Sequence, residues 1–516
     1  MKKFSNYQQA IFNFGLNGEG NGIVQATAGS GKTTTLVELS ERLIAAPRYK
    51  GKSFFFGAFN KSIAEELATR LPKTVTVKTL HAFGMSALRK VSNRLEVDSW
   101  KYSTILDELI KEKYGLKRGD DQYTELKDAS SKLLDFVQVY LIKPDDIEGM
   151  LELAYERGMS LPFDQVTRVT TLVTEALITG RHQIKQGKIA FVDMIWGPWA
   201  LNLKPDQFDF IMLDEVQDLN NAQMDLVKKA LAPGGRFLGV GDRFQSIYNF
   251  CGANSNSMSI LKETFNCQEF PLSITYRCPS SHVKLAKLID PSITARENAP
   301  EGLVTNISEE GLSEWVKPGD MILCRTNAPL VSACFSLLAK GISATIRGRD
   351  IGKELSKLVE TVLGKDSKKS ITPKFFFDKL NDYALKQKEV IQAKFADHPE
   401  KQDMYFAMIQ DKLDVLTVIF EASQPTTVDK MKKQVESLFS DEASLITLSS
   451  IHRSKGLEAD RVCILRPELL PFPAAKTPQD QQSEQCLIFV ATTRAKKELC
   501  FAGAFHLLEQ MNQAAD

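Results

Sequence analysis

Ala26-Thr27-Ala28-Gly29-Ser30-Gly31-Lys32-Thr33 follows the apolar run Gly22-Ile23-Val24-Gln25 and enters Thr34-Thr35-Leu36-Val37-Glu38-Leu39. A strand, a glycine loop and a helix in that order are the setting of a phosphate-binding loop. Gly29 and Gly31 let the backbone N–H groups of Ala28, Ser30 and their neighbours turn inward around phosphate oxygens. The helix N-terminus adds the positive end of its dipole. Lys32 would reach the β- and γ-phosphates, and the Thr33 hydroxyl would hold Mg²⁺. The first position carries Ala26 instead of glycine, a mild departure. The competing reading is an ordinary glycine turn, against which stand the intact Gly-Lys-Thr and both correct flanks. The stretch says nucleotide, and not yet which task.

Length and composition bound the rest. A chain of 516 residues is too long for one core, so several domains are expected. Charged residues at 25% and apolar ones at 43% suit a globular protein and exclude a disordered or fibrous one. A net charge of +1 gives no global basic signature, so nucleic-acid binding needs a local groove. The 8 cysteines form no C-x-x-C pair, which argues against zinc or a disulfide framework and fits a reducing compartment. No apolar run approaches membrane-spanning length, and Met1-Lys2-Lys3-Phe4-Ser5-Asn6 lacks a signal-peptide core. These features set the expectation of a cytosolic multidomain enzyme without membrane contact.

Phe4 to Phe14 reads as a short helix whose Gln8, close to the phosphate loop, could read an adenine edge. Strand-like Phe54-Phe55-Phe56-Gly57-Ala58 ends at Phe59-Asn60-Lys61, and Val75-Thr76-Val77 ends at Thr79-Leu80-His81-Ala82-Phe83. Such β–α alternation builds a parallel sheet, which binds ligands at the carboxyl ends of its strands. Both ends set an aromatic beside polar or basic groups, suited to stacking on bases while gripping phosphate. Each alone reads more simply as packing; the pair on one rim shifts that balance. Between Gly84 and Ile195 the pattern turns helical, a helical insertion into the first α/β domain. The sheet resumes at Phe208-Asp209-Phe210-Ile211-Met212-Leu213 and delivers Asp214-Glu215. Asp214 would bind Mg²⁺ through its water shell, and Glu215 would orient or deprotonate the attacking water.

Asp214-Glu215-Val216-Gln217-Asp218 and Val240-Gly241-Asp242-Arg243-Phe244-Gln245-Ser246-Ile247-Tyr248 resemble the UvrD/Rep/PcrA branch of superfamily 1 DNA helicases. The resemblance runs on through Thr275-Tyr276-Arg277, Arg325-Thr326-Asn327, Ile451-His452-Arg453-Ser454-Lys455-Gly456-Leu457-Glu458 and Phe489-Val490-Ala491-Thr492-Thr493-Arg494-Ala495. In wording, Phe59-Asn60-Lys61-Ser62-Ile63-Ala64 and Lys78-Thr79-Leu80-His81 look closest to the helicase part of the F-box DNA helicases. With no F-box ahead of it, the chain suggests a stand-alone bacterial or phage relative, in the bacterial or infected-host cytosol. The fold implied is α/β: two RecA-like P-loop lobes with parallel sheets, each interrupted by a mostly helical insertion. The expected division is 1–84 with 196–274 for the first lobe and 85–195 for its insertion. The second lobe takes 275–350 with 443–516, and 351–442 is a second, shortened insertion. Candidate strands there are Met321–Cys324, Ser343–Ile346, Ser444–Leu448 and Arg461–Leu465.

By this resemblance Gln245 senses the γ-phosphate, Tyr276 stacks on adenine, and Arg277 and Arg494 are arginine fingers. Positive charge brought to the γ-phosphate is worth orders of magnitude in rate and ties hydrolysis to domain closure. Glu458 would contact the ribose hydroxyls. Phe59, Asn60, Lys61, Thr79, His81, Phe83, Tyr248, Phe250, Arg325, Asn327, His452 and Lys455 fall on the nucleic-acid side. Departures from the family pattern are Phe250 where a tryptophan is usual and Cys251 for an arginine nearby. Thr34 stands where relatives often carry an arginine against the adenine, which could relax base selectivity. Phe59 lies one position closer to Asn60-Lys61 than its usual counterpart.

The resemblance implies an ATP- and Mg²⁺-dependent translocase moving 3′ to 5′ on single-stranded DNA, unwinding tailed or forked duplex, active as a monomer. A second reading keeps the motor but has it strip recombinase or other proteins, such as single-strand-binding protein, from DNA. A GTPase-type switch needs Asn-Lys-x-Asp, and Asn60-Lys61-Ser62-Ile63 lacks the aspartate. A fused nuclease is disfavoured, since Lys496 to Asp516 holds no acidic metal cluster. RNA as the track stays open, because stacking residues do not report the sugar.

Overall fold

The computed structural model describes residues 3–58, 61–157, 159, 163–247, 257–395, 399–439 and 445–504. The chain divides into two compact units: Met1–Ala26 with Gly31–Ser273, and Thr27–Ser30 with Ile274–Asp516.

The first unit opens with α1 (Asn6–Asn17), β1 (Asn21–Ala26) and α2 (Lys32–Ala45). Next come β2 (Phe54–Ala58), α3 (Lys61–Arg70), β3 (Val75–Thr79) and α4 (Leu80–Leu88). The short strand β4 (Glu96–Val97) leads into α5 (Lys101–Tyr114), α6 (Asp121–Tyr140), α7 (Ile147–Glu156) and α8 (Phe163–Lys185). Then β5 (Lys188–Ile189), parallel to β4, and α9 (Asp193–Ala200) return the chain to the sheet. It finishes with β6 (Phe208–Leu213), α10 (Asn221–Ala230), β7 (Leu231–Gly241), α11 (Ser257–Thr264) and β8 (Cys267–Leu272). Among the described residues the sheet has six strands, all parallel, in the order β3-β2-β6-β7-β1-β8.

Both faces of this sheet are covered at its centre, which explains why β2 reads as an apolar run and β6 as one broken only at Asp209. Phe54, Phe56, Phe210 and Met212 pack with Leu36 and Leu39 of α2. The alternate residues Phe55, Ile211 and Leu213 pack with Leu80, Phe83 and Leu226 on the other face. Phe83 is therefore corrected. At 2% exposure, with its ring 4.7 Å from Phe55, it belongs to the core and offers no face to a base.

The helices α5–α8 bury their own cluster around Leu106, Leu133, Val137, Val169 and Leu172. Inside it Lys101 and Asp193, both fully buried, meet at 2.6 Å. Gly180 O accepts a second Lys101 bond, while Asp193 also accepts from the Tyr102 hydroxyl and the Ala190 amide. Burial pushes the Lys101 pKa down and the Asp193 pKa up, and the mutual attraction opposes both shifts. Removing one member leaves the other charge buried and alone. Asp193→Ala should thus cost about 3–5 kcal/mol, read as a lowered urea midpoint.

The second unit starts with β9 (Ile274–Thr275), α12 (Ser280–Ala286), β10 (Thr294–Ala295) and β11 (Leu303–Ile307). It continues with α13 (Leu312–Trp315), β12 (Met321–Cys324), α14 (Ala328–Ala339) and β13 (Ala344–Ile346). Four helices follow: α15 (Arg349–Leu363), α16 (Pro373–Lys394), α17 (Pro399–Ser423) and α18 (Val428–Leu438). The last elements are β14 (Ile446–Ser450), β15 (Ala459–Leu465), α19 (Pro478–Thr492) and β16 (Ala495–Ala502). The described strands form a second six-stranded parallel sheet, β11-β16-β15-β12-β14-β13. Leu355, Val359, Phe420 and Val435 of α15, α17 and α18 share one cluster with Ile322, Ile346 and Leu448 of the sheet. The segment after residue 350 is thus fused to the core of its unit. Two parallel-sheet α/β lobes rich in helices are the architecture the sequence predicts.

Among the described residues no helix is long and apolar enough to cross a membrane. None of the described cysteines is in a disulfide, and all of them are buried.

Candidate active site

Strands β6, β7 and β1 lie side by side, and the segments leaving their carboxyl ends supply the acidic and basic groups. Gly31 adopts φ +82° and is the N-cap of α2, a left-handed turn that favours glycine. Gly29 is left-handed as well, and a Cβ there would stand 2.5 Å from the Cβ of Arg277. The sharp turn and the close approach account for both glycines.

Lys32 opens α2 and sits 3.3 Å from Oε1 of Glu215. Burial alone would lower its pKa, but Glu215, Asp242 and Asp214 override that and raise it, so the ammonium stays charged. The Thr33 hydroxyl donates to Asp214 Oδ2 at 2.6 Å. Burial, reinforced by Glu215, lifts the Asp214 pKa to about 6 against the pull of Lys32 and Thr33. A hydroxyl and a carboxylate oxygen thus converge, the hard oxygen donors that Mg²⁺ takes. Among the described residues no three His, Cys, Asp or Glu side chains form a metal-holding group. Mg²⁺ keeps waters and shares itself with phosphate, and Thr33 and Asp214 are the oxygen donors that could hold it.

Glu215 holds φ +54°, a strained conformation for a non-glycine residue. It aims its carboxylate at Lys32 and accepts from Gln217 Nε2. Gln217 Oε1 in turn accepts from the Asp242 amide at 2.9 Å, and Gln245 Nε2 donates to Asp242 Oδ2 at 2.6 Å. Gln245 is thereby linked to Glu215 through Asp242 and Gln217. Sequence reasoning missed Asp242 and Gln217 as members, although both lie inside the runs it quoted.

Gln8 is buried and occupied at both ends of its amide: Nε2 donates to Thr35 Oγ1 at 3.0 Å, and Oε1 accepts from the Ser5 amide. It serves α1 as the third residue of a capping box. The Tyr276 amide donates to Gly29 O at 2.8 Å, and its side chain is exposed. The Thr27 hydroxyl donates to Asp290 Oδ2 at 2.9 Å, with both residues 1% exposed. Asp290 also carries the Ser292 amide and hydroxyl, so the start of the phosphate loop is tied to the turn after α12.

The two candidate arginine fingers sit differently. Arg277 Nε donates to Glu458 at 2.7 Å, and Glu458 also meets Lys496 at 2.5 Å. Burial would raise the Glu458 pKa; Lys496 and Arg277 hold it below the ordinary carboxylate value. Arg494 is 1% exposed and donates to the carbonyls of Val490 and Leu457.

Of the nucleic-acid candidates, Phe59, Asn60, Tyr248 and Phe250 lie outside the described residues. Lys61 is exposed and pairs with Glu65 at 3.5 Å. Thr79 caps α4 by accepting from the Ala82 amide. His81 stacks on Phe191 with ring centroids 4.2 Å apart, and Phe191 is 60% exposed. The sequence reading missed Phe191; its signal was an isolated aromatic after β5. Arg325 is committed to buried Glu484 through a two-pronged ion pair and lies over the Phe472 ring. Asn327 donates from both amides to Asp411. Burial, aided by Arg325, pushes the His452 pKa down to about 3, so its imidazole stays neutral. Lys455 follows on the same loop and is half-buried.

Residues 6–266 match the model of the UvrD/REP helicase N-terminal domain. The chain belongs to the UvrD/Rep helicase family. Residues 349–504 match the UvrD-like helicase C-terminal domain. A probable DNA helicase II homolog of Mycoplasma genitalium is 22% identical over 93% of this chain and 82% of its own length. F-box DNA helicase protein 1 of Schizosaccharomyces pombe is 23% identical over 92% of the chain and 55% of its own length. The ATP-dependent DNA helicase Rep of Escherichia coli is 22% identical over 52% of the chain and 40% of its own length. UvrD/Rep helicases are ATP-dependent enzymes that act on DNA, and this chain is one of that family.

Proposed function

We propose that this protein is an ATP- and Mg²⁺-driven translocase that moves 3′ to 5′ on single-stranded DNA and unwinds tailed duplex. The observation that carries the reading is the Lys32–Glu215 and Thr33–Asp214 pairing beyond the carboxyl ends of β1 and β6, the two strands that flank β7. It offers charge for a γ-phosphate, oxygens for Mg²⁺ and a carboxylate for water in one place. Arg277 and Arg494 are proposed to supply γ-phosphate charge, which requires each to leave the partners it has here. Gln8 and Tyr276 are proposed to take the adenine, and Glu458 the ribose. Replication, recombination or repair in a bacterial or phage-infected cytosol is the setting, with the monomer as the active form.

The test measures ATP hydrolysis alone, with single-stranded DNA and with single-stranded RNA, then strand separation from 3′- and 5′-tailed duplexes. DNA stimulation with unwinding from the 3′ tail supports the reading; no stimulation by either polymer overturns it. Removal of recombinase or single-strand-binding protein from DNA is the second reading. The fusion of α15–α18 into the core of their unit favours it, because it leaves little independent accessory domain to engage duplex. Stimulation without unwinding would select it.

The half-buried His81 and the exposed Phe191 form a stack suited to a base. Phe191→Ala should weaken single-strand binding by about 1–3 kcal/mol, measured by anisotropy, with DNA-free hydrolysis unchanged.

A further inference from the structure

A cavity of about 480 Å³ opens beside the end of α4 and the β4–β5 ribbon, far in sequence from the phosphate loop. Its polar lining is Arg89, Asn93, Arg94, Glu96, Gln186 and Lys188, three cations against one carboxylate. The volume lies within the usual range of ligand pockets. Arg89 and Arg94 are exposed and, among the described residues, have no ion-pair partner.

Backbone and side-chain hydrogen bonds tie the wall of this pocket together. The Glu96 amide donates to Gly187 O at 2.8 Å, and the Ser92 hydroxyl donates to Arg94 O at 3.0 Å. Gly187 holds φ +91°, and a Cβ there would fall 2.2 Å from Arg94 O, so only glycine lets the two segments close beside Arg94. Asp98 then joins the pocket to an aromatic. One of its carboxylate oxygens holds Lys188 at 3.0 Å, and the other accepts the Trp100 amide at 2.8 Å. Trp100 is 68% exposed, and its backbone is one shared carboxylate, that of Asp98, away from Lys188 of the pocket. Guanidinium forks and amide donors suit phosphate oxygens, while an exposed indole suits an unstacked base.

We propose that this pocket binds the phosphodiester backbone of a single nucleic-acid strand, with Trp100 stacking on one base. The site is separate from the ATP site and rests on the reading of the chain as a nucleic-acid motor. The exposed aromatic favours a single strand over duplex, whose bases are already stacked.

The experiment is an anisotropy titration of a labelled oligothymidylate with the full chain, repeated across a salt series. It compares the unaltered chain, Arg89→Gln/Arg94→Gln and Trp100→Ala, with a blunt duplex as a parallel arm. Each phosphate contact contributes about 0.7 to the salt slope for single strands. The double variant should lose about 1.4 from that slope and bind about tenfold more weakly. Trp100→Ala should weaken binding and leave the slope in place. Hydrolysis without DNA should stay unchanged in both. Unaltered slope and affinity in the double variant would overturn the site while leaving the motor reading intact. A loss confined to the blunt duplex would overturn the single-strand assignment. Absence of binding by the unaltered chain would remove the motor reading and this site together.

Discussion

Lys32→Ala is expected to reduce ATP hydrolysis by about three orders of magnitude or more, with and without DNA. Lys32 is drawn to Glu215, Asp242 and Asp214 together, and those carboxylates keep it charged despite burial. A γ-phosphate arriving without that ammonium faces an acidic cluster, so binding and transition-state charge both suffer. The variant should also be less stable, because removing one member of a largely buried pair strands the other. The cost is below about 3–5 kcal/mol, since the Glu215 side chain keeps 21% exposure. Lys32→Met, which keeps the packing stem, should recover part of the stability and none of the turnover. Hydrolysis by either variant at the unaltered rate would remove Lys32 from the site.

How much of this was legible depended on whether the signal was local. The strand Phe208–Leu213 was read at its observed bounds, because a buried parallel strand is apolar on both faces and ends at a charged pair. Gly29-Ser30-Gly31-Lys32-Thr33 was legible for the same reason: its turn, cap and helix lie in one stretch. What stayed hidden depends on partners distant in sequence. Nothing local tells Phe83 from a base platform; Phe55 and Phe208, brought by two other strands, enclose it. Arg325 reads as a free cation until Glu484 of α19 arrives from the far end of the unit. Phe191 shows the reverse: an apolar residue expected inside, left outside because β5 ends just before it and His81 covers only one face.

Glu215→Gln should lower turnover by about two to four orders of magnitude while nucleotide affinity stays within about threefold of the unaltered chain. The swap keeps shape and hydrogen bonding. The amide oxygen can still accept from Gln217 Nε2 and face Lys32, and the left-handed backbone at φ +54° is no harder for glutamine than for glutamate. What disappears is the negative charge that can take a proton from water. Glu215 is also a cause of the raised Asp214 pKa, so its neutralisation eases Asp214 toward the ionised form that a metal requires. Metal and nucleotide binding are therefore preserved or strengthened as hydrolysis is lost. Equilibrium binding of ATP alongside single-turnover hydrolysis separates the two effects. Loss of binding would make Glu215 part of the cradle; unchanged hydrolysis would place the base elsewhere.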